Sequence, residues 1–456
     1  MSLKNMTLEN IAKACNGIYI GDESFKQTEI TGVEKDSRLI EEGYLYLPFV
    51  GAKVDGHDFI PQVFEKGALC TLSEKKLDIN KPYILVKSVA DALKAIAEFY
   101  RKQLSCKIIG ITGSVGKTST KEIIASVLSE KYQVLKTEGN YNNEIGMPLT
   151  MLKIRDNHQI AVIEMGISDF GEMHRLANIS KPDVCVITNI GTCHLENLGD
   201  RDGVFRAKTE MFEHAQKDCF VVLNGDDDKL INVKEVNGHE PMFFGINTKQ
   251  NVGIVSHTSK GVMGTEVEIR YFDKTFTTLI PIPGFHMIYN ALAATCIGVH
   301  FGMSFSEIDS GIRKLKAING RNNIFNVNNI TVIDDCYNAN PMSMKASLNV
   351  LSEADGRKVA ILGNMYELGD NEAELHRQVG EEAARLKIDE VICIGDLAQN
   401  IADAAKSGCN MVYHFNNKQD FESNISEYIK PGDTVLIKAS NGMKFTTIVN
   451  LIKETF

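Results

Sequence analysis

Gly113, Ser114, Gly116, Lys117, Thr118 and Ser119 stand in one run, Gly110-Ile111-Thr112-Gly113-Ser114-Val115-Gly116-Lys117-Thr118-Ser119. An apolar stretch from Lys107 to Thr112 leads into it and a helix-like run, Ser119 to Lys131, follows. Those residue types in that order suit a chain of phosphates. Glycines let the backbone approach the anion, unpaired N–H groups at a helix start donate to it, and Lys117 adds a cation. The Thr118 hydroxyl suits a magnesium ion. Five residues separate Gly110 from Gly116, where the usual pattern has four, so the loop is a variant. A glycine-rich turn with a solvated lysine would explain the glycines, but not strand, loop, lysine, hydroxyl and helix in sequence. The run predicts a nucleoside triphosphate site.

Other residues gain meaning from that loop. Glu164 ends the strand-like run Gln159 to Glu164, a position from which a carboxylate can reach a metal beside the phosphates. Without the loop it would read as an exposed strand-end acid. His194 follows the run Val184 to Thr188 on the side where ligands gather in parallel sheets. Lys208 lies in a helical run with Val204, Ala207 and Met211, and by spacing alone is a solvated lysine. Asn142 and Asn143 precede a helix and could donate to a transferring group or simply make a turn. Asn290, Arg321 and Asp335 lie downstream; an acid at a strand end, Asp334 or Asp335, could hold a ribose hydroxyl.

The elements that must position these residues suggest an α/β chain of three domains. Residues 1–103 read as a small N-terminal α/β unit with a helix from Ala90 to Lys102. Residues 104–317 alternate strands and helices, which predicts a mostly parallel sheet covered on both faces. Between Gly253 and Ile280 the helices stop and two runs alternate like antiparallel strands, an appended sheet. Residues 318–456 begin a second βα series, a Rossmann-like doubly wound unit.

Composition excludes several classes. Lys plus Arg total 49 against 59 Asp plus Glu, a formal net charge of −10, so general affinity for nucleic acid or anionic membrane is not expected. No run reaches the roughly 18 apolar residues that span a bilayer, and the first ten residues are too polar for a signal peptide. A cytoplasmic location is expected. The 10 cysteines sit singly in apolar runs with no CxxC pair, as buried thiols do in a reducing compartment.

Taken together, GITGSVGKTSTKE, NYNNEIGMPLT, IEMG, HLENLG, AKTE, NALAA, INGR and DDCYNANPMSM resemble the Mur ligase family in family order along nearly the whole chain. Asp36-Ser37-Arg38, Asp55 to Phe59, Asp335 to Met344 and Leu362 to Gly369 with His376 are similar to the member that joins D-alanyl-D-alanine to a UDP-N-acetylmuramoyl tripeptide. The resemblance implies an ATP- and Mg2+-dependent amide synthase acting on those two small molecules, expected to be a monomer. It implies that Lys117 and Thr118 hold phosphates and the first magnesium, that Glu164 and His194 hold metals, and that Asn290 meets adenine. Arg321 and Asp335 would make the remaining nucleotide contacts. Lys208 matches a lysine that is carbamylated in several relatives, where it supports the second metal. Ser37, Asn338 and Asn340 are nominated for substrate, Asn142 and Asn143 for the transferring group. One departure is Lys438-Ala439-Ser440-Asn441, where the family commonly shows Lys-Gly-Ser-Arg.

The chemistry implied follows from a poor leaving group. A carboxylate cannot be displaced by an amine until its oxygen is phosphorylated, which requires in-line transfer with the charge neutralised by Lys117 and two ions roughly 4 Å apart. Competing readings are a nucleotide-switched module, which lacks its Asn-Lys-x-Asp guanine signature here, a simple kinase, and sister amino-acid ligases, including those acting on folate.

Overall fold

The computed structural model describes residues 2–246 and 250–456. Three sheets organise them: five strands within residues 18–85, nine within 107–280 and six within 323–438. The middle sheet carries the loop, and its strand Lys107–Thr112 lies between Ile160–Glu164 and Val184–Ile187, all parallel. The pleat divides that strand's side chains. Ile109 and Ile111 pack with Ile123, Ile124 and Val127 of the loop helix Lys117–Leu128, whereas Ile108 joins the core on the opposite face. Burial on both faces is why the strand reads as a continuous apolar run.

Two differences from the sequence reading have physical causes. The antiparallel strands Thr265–Tyr271 and Lys274–Ile280 are not a separate sheet but extend the parallel one through Val252–Ser259. Helix His286–His300 buries Ala291, Leu292, Ile288 and Ile297 beneath both parts, so one core serves them. The loop helix begins at Lys117 rather than Ser119, because the φ of +84° at Gly116 turns the chain directly into it.

The sheet within residues 18–85 is not packed alone. Helix Val89–Arg101 buries Val89, Leu93 and Ile96 in a core shared with Ile108, Ile163 and Ile187. Tyr100 donates its hydroxyl to the Ile154 carbonyl at 2.7 Å, and Arg101 Nε donates to the Ser180 carbonyl at 2.6 Å. The six-stranded sheet has the order Asn323–Val327, Ile330–Asp334, Asp433–Lys438, Arg357–Gly363, Glu390–Ile394, Met411–Phe415. Its last five strands are parallel, with separate cores on the two faces. The first strand pairs antiparallel at the edge, a hairpin partner the sequence reading did not include. The architecture is thus α/β with three mostly parallel sheets.

Candidate active site

The loop is held from behind by the segment that follows the neighbouring strand. Val115 N–H donates to Asn189 Oδ1 at 3.0 Å, Thr188 Oγ1 donates to the Val115 carbonyl at 2.6 Å, and Gly191 N–H donates to Ser114 Oγ at 2.8 Å. Gly113 has φ +150°, and a Cβ there would overlap the Thr188 hydroxyl. Only glycine allows this approach, so the loop's shape is fixed without a ligand. Lys117 Nζ curls back onto the Gly113 carbonyl at 2.8 Å, which keeps its charge inside the loop's concavity.

Glu164 sits beneath Thr118. Its Oε1 accepts from Thr118 Oγ1 at 3.2 Å and from Asn142 Nδ2 at 2.8 Å. The carboxylate is 1% exposed, and its Oε2 is buried with no hydrogen-bond partner. A buried carboxylate oxygen left without a donor is costly unless a cation completes it. The oxygen donors Thr118 and Glu164 therefore fit magnesium.

Lys208 is buried, not solvated, at 1% exposure. Helix Arg201–Thr209 turns it inward together with Val204 and Ala207. Burial holds its ammonium down to about 8, with the nearby Cys193 thiol acting the other way and the Lys117 charge adding to the depression. Burial likewise lowers the His194 imidazole; Glu367 opposes this, whereas Lys117 and Lys208 reinforce it. Lys117 and Lys208 thus both lie near His194, in a chain of net charge −10. An amine near neutrality in a site with no acidic partner of its own among the described residues can take up carbon dioxide, which would reverse its charge.

A cavity of about 640 Å3 opens in front of the loop. Ser114, Gly116, Lys117, Thr118 and Ser119 line it from the middle sheet, as does Asn290; Arg321, Asp335, Asn338 and Asn340 line it from the last. Asn290, 5% exposed, accepts from Thr120 Oγ1 at 2.9 Å, which seats it against the second turn of the loop helix. Arg321 stacks on the Tyr337 ring at 4.2 Å. Asp335 accepts from Asn322 N–H at 3.0 Å and from Ser347 Oγ, and it pairs with the buried Lys438. Asn338 Oδ1 accepts from the N–H groups of Ala339 and Asn441, and Asn441 Nδ2 donates to the Tyr337 carbonyl at 3.0 Å. Asn441, the departure noted above, therefore fastens the turn that carries Asn338.

Other nominated residues lie outside that cavity's wall. Asn143 Oδ1 accepts from Gly146 N–H at 2.8 Å and Ile145 N–H at 3.2 Å, ordering the turn before helix Gly146–Met151. Ser37 is 9% exposed, between Asp36 and Arg38, whose side chains pair with each other. Arg38 holds the Asp36 carboxyl down at about 2.

Sequence reasoning passed over Glu367 and Met342 as site residues. Glu367 Oε2 lies 2.6 Å from His194 Nδ1 and joins the last sheet to the middle one. Both residues have positive φ, +52° and +62°, so each is presented from a left-handed kink. Met342 covers Gly191, where a Cβ would meet its sulfur at 2.5 Å. Only the order of the segments Asn364–Gly369 and Pro341–Ser343 hinted at either contact.

Three models of the Mur ligase family match the chain: its catalytic domain at residues 29–105, its middle domain at 111–298 and its glutamate ligase domain at 320–441. The chain is 36% identical to a UDP-N-acetylmuramoyl-tripeptide–D-alanyl-D-alanine ligase of Bacillus subtilis, with 98% of each chain covered. Among solved structures it resembles MurF from Acinetobacter baumannii at 30% identity and TM-score 0.89, covering 99% of this chain and 100% of that one. It also resembles a MurF ligase from Thermotoga maritima in complex with ADP, at 29% identity and TM-score 0.81, covering 93% and 97%.

Proposed function

The chain belongs to the Mur ligase family, and on that premise we propose that it is the ligase that joins D-alanyl-D-alanine to a UDP-N-acetylmuramoyl tripeptide. The reaction consumes ATP and forms ADP and phosphate, in the synthesis of peptidoglycan precursor. The observation that carries the reading is the pairing of a preformed phosphate loop with a buried, half-satisfied carboxylate, at the edge of a cavity lined by two sheets. Relatives covering the full length with one activity in their names support the choice of substrates.

In this reading Gly113, Gly116 and Ser119 present backbone N–H groups to the phosphates, and Ser114, whose N–H is donated to the Asn189 carbonyl, lines the same site. Lys117 leaves the Gly113 carbonyl to meet them. Thr118 and Glu164 would hold one magnesium, and His194 with a carbamylated Lys208 would hold a second. Bound magnesium supplies neutralisation of phosphate charge. The tripeptide carboxylate oxygen attacks the γ-phosphorus, the bond to the ADP oxygen breaks, and an acyl phosphate results. The dipeptide amine then adds to the acyl carbon, phosphate leaves, and the amine's surplus proton goes to solvent. Asn142, held by Glu164, and Asn143 flank the transferring group. Asn290 faces the adenine, and Arg321 and Asp335 hold the rest of the nucleotide. Ser37 belongs to the UDP end, and Asn338 and Asn340 to the dipeptide. The functional units are residues 1–103, 104–317 and 318–456, working as a cytoplasmic monomer. Among the described residues no helix is long and apolar enough to cross a membrane.

The test is product analysis. Protein, ATP and Mg2+ are mixed with diaminopimelate- or lysine-containing UDP-tripeptide and either D-alanyl-D-alanine or a single amino acid. Mass spectrometry should find one amide, made only with the dipeptide, and none with Lys117→Ala. Amide formation with a single amino acid instead would assign the chain to a sister ligase.

A further inference from the structure

Away from the cavity, two segments of the middle unit bring two imidazoles and a carboxylate together. His174 stands in the first turn of helix Glu172–Ser180, and Glu213 and His214 end the 3-10 turn Glu210–His214 that continues helix Arg201–Thr209. His174 Nδ1 lies 2.8 Å from Glu213 Oε2 and 3.2 Å from His214 Nε2. The two rings meet edge to face at 4.3 Å between centroids. One ligand atom from each of the three residues lies within 4.8 Å of the others. Tetrahedral zinc with bonds of about 2.0–2.1 Å spaces its ligands by roughly 3.3 Å, so modest side-chain rotation would seat an ion.

We propose that His174, Glu213 and His214 form a binding site for a divalent transition metal, zinc foremost, distinct from the magnesium positions at the phosphate loop. Two imidazoles with one carboxylate suit zinc better than magnesium, whose ligands are mostly oxygens. The backbone under the site is fastened independently of any ion. Glu210 accepts from Gly171 N–H at 3.0 Å and from His174 N–H at 3.1 Å, tying the turn to the start of the partner helix. His174 and Glu213 are about half exposed, at 51% and 57%, so the remaining coordination position faces water. Burial and the neighbouring His174 lower the His214 imidazole. Glu213 and Glu98 act in the opposite sense, and Lys181 in the same sense. The ion would clamp the turn that begins two residues after Lys208 to the helix that follows the Glu164 strand.

The test uses the full chain with saturating Mg2+ and ADP, so that the loop's own metal positions are filled. Zinc titrated against a chromogenic chelator should show one saturable site per chain, and zinc should raise the thermal midpoint. The double variant His174→Gln, His214→Gln should bind zinc at least about 100-fold more weakly and lose the thermal shift. Cobalt substituted into the unaltered protein should give the visible d–d bands of a tetrahedral nitrogen and oxygen site without a thiolate charge-transfer band. Absence of a saturable site, equal binding by the double variant, or a thiolate band would each overturn the proposal.

Discussion

Among single residues Lys208 weighs most, because sequence spacing hid its burial and that burial changes its chemistry. Its amine, held down to about 8 mainly by burial, is neutral above that pH and loses neutral fraction roughly tenfold for each unit below it. The protonated form is disfavoured in the fold, so this lysine's unfavourable contribution to stability is fully present below about 8. It is removed as pH rises toward the ordinary lysine value of about 10.4. At fixed dissolved carbon dioxide, carbamate formation should therefore rise steeply as pH approaches about 8 from below, as read by a carbon dioxide adduct on Lys208 in native mass spectrometry. Lys208→Ala should lower kcat by at least about 100-fold and regain part of it with added formate or acetate. Failure of rescue together with no adduct would remove the carbamate. Glu164 could be nominated as a metal ligand because it ends a strand beside the loop; its orphaned oxygen shows only in the fold. Glu367 was not legible, since its partner His194 lies 173 residues away and nothing local marks the pair.

At the scale of elements, strands buried on both faces were the most readable. Lys107–Thr112, Ile330–Asp334 and Glu390–Ile394 have the bounds their apolar or β-branched runs suggest, and so does the more exposed edge strand Met411–Phe415. Short strands such as Ile18–Ile20 and Gly32–Glu34 escaped, because three residues carry no periodicity and owe their extension to neighbours. Capping also reassigns one nominated side chain's acceptor. Asn340 Oδ1 accepts from Ser343 N–H at 2.9 Å and Ser343 Oγ accepts from Asn340 N–H at 3.0 Å, a reciprocal cap on helix Pro341–Ser352. Asn340→Ala should thus cost about 1 kcal/mol of stability, seen as a lowered thermal midpoint without substrate. Asn340→Asp, which keeps the acceptor, should restore the midpoint; if dipeptide KM still rises with the aspartate, the amide NH2 meets substrate as proposed. An unchanged midpoint in the alanine variant would show that the cap contributes nothing.

In the molecule as a whole, the middle and last sheets line one cavity, which offers Lys117 from one side and Arg321 from the other, while Lys438 is paired with Asp335. Arg321→Ala should weaken ADP binding at least about tenfold by calorimetry while leaving the fold intact, because its guanidinium is offered from the last unit and braced on the Tyr337 ring. Unchanged affinity would take the last unit out of the nucleotide site. The three-unit organisation was visible in the alternation of elements, whereas the core shared by the N-terminal and middle units was not. Periodicity reports that a face is apolar without naming what covers it. If the loop hands the outermost phosphate of ATP to a carboxylate, an oxygen of that carboxylate must leave with the phosphate. With tripeptide labelled by 18O in its terminal carboxylate, turnover should release phosphate carrying one 18O per amide formed. Unlabelled phosphate accompanying full amide formation would contradict it.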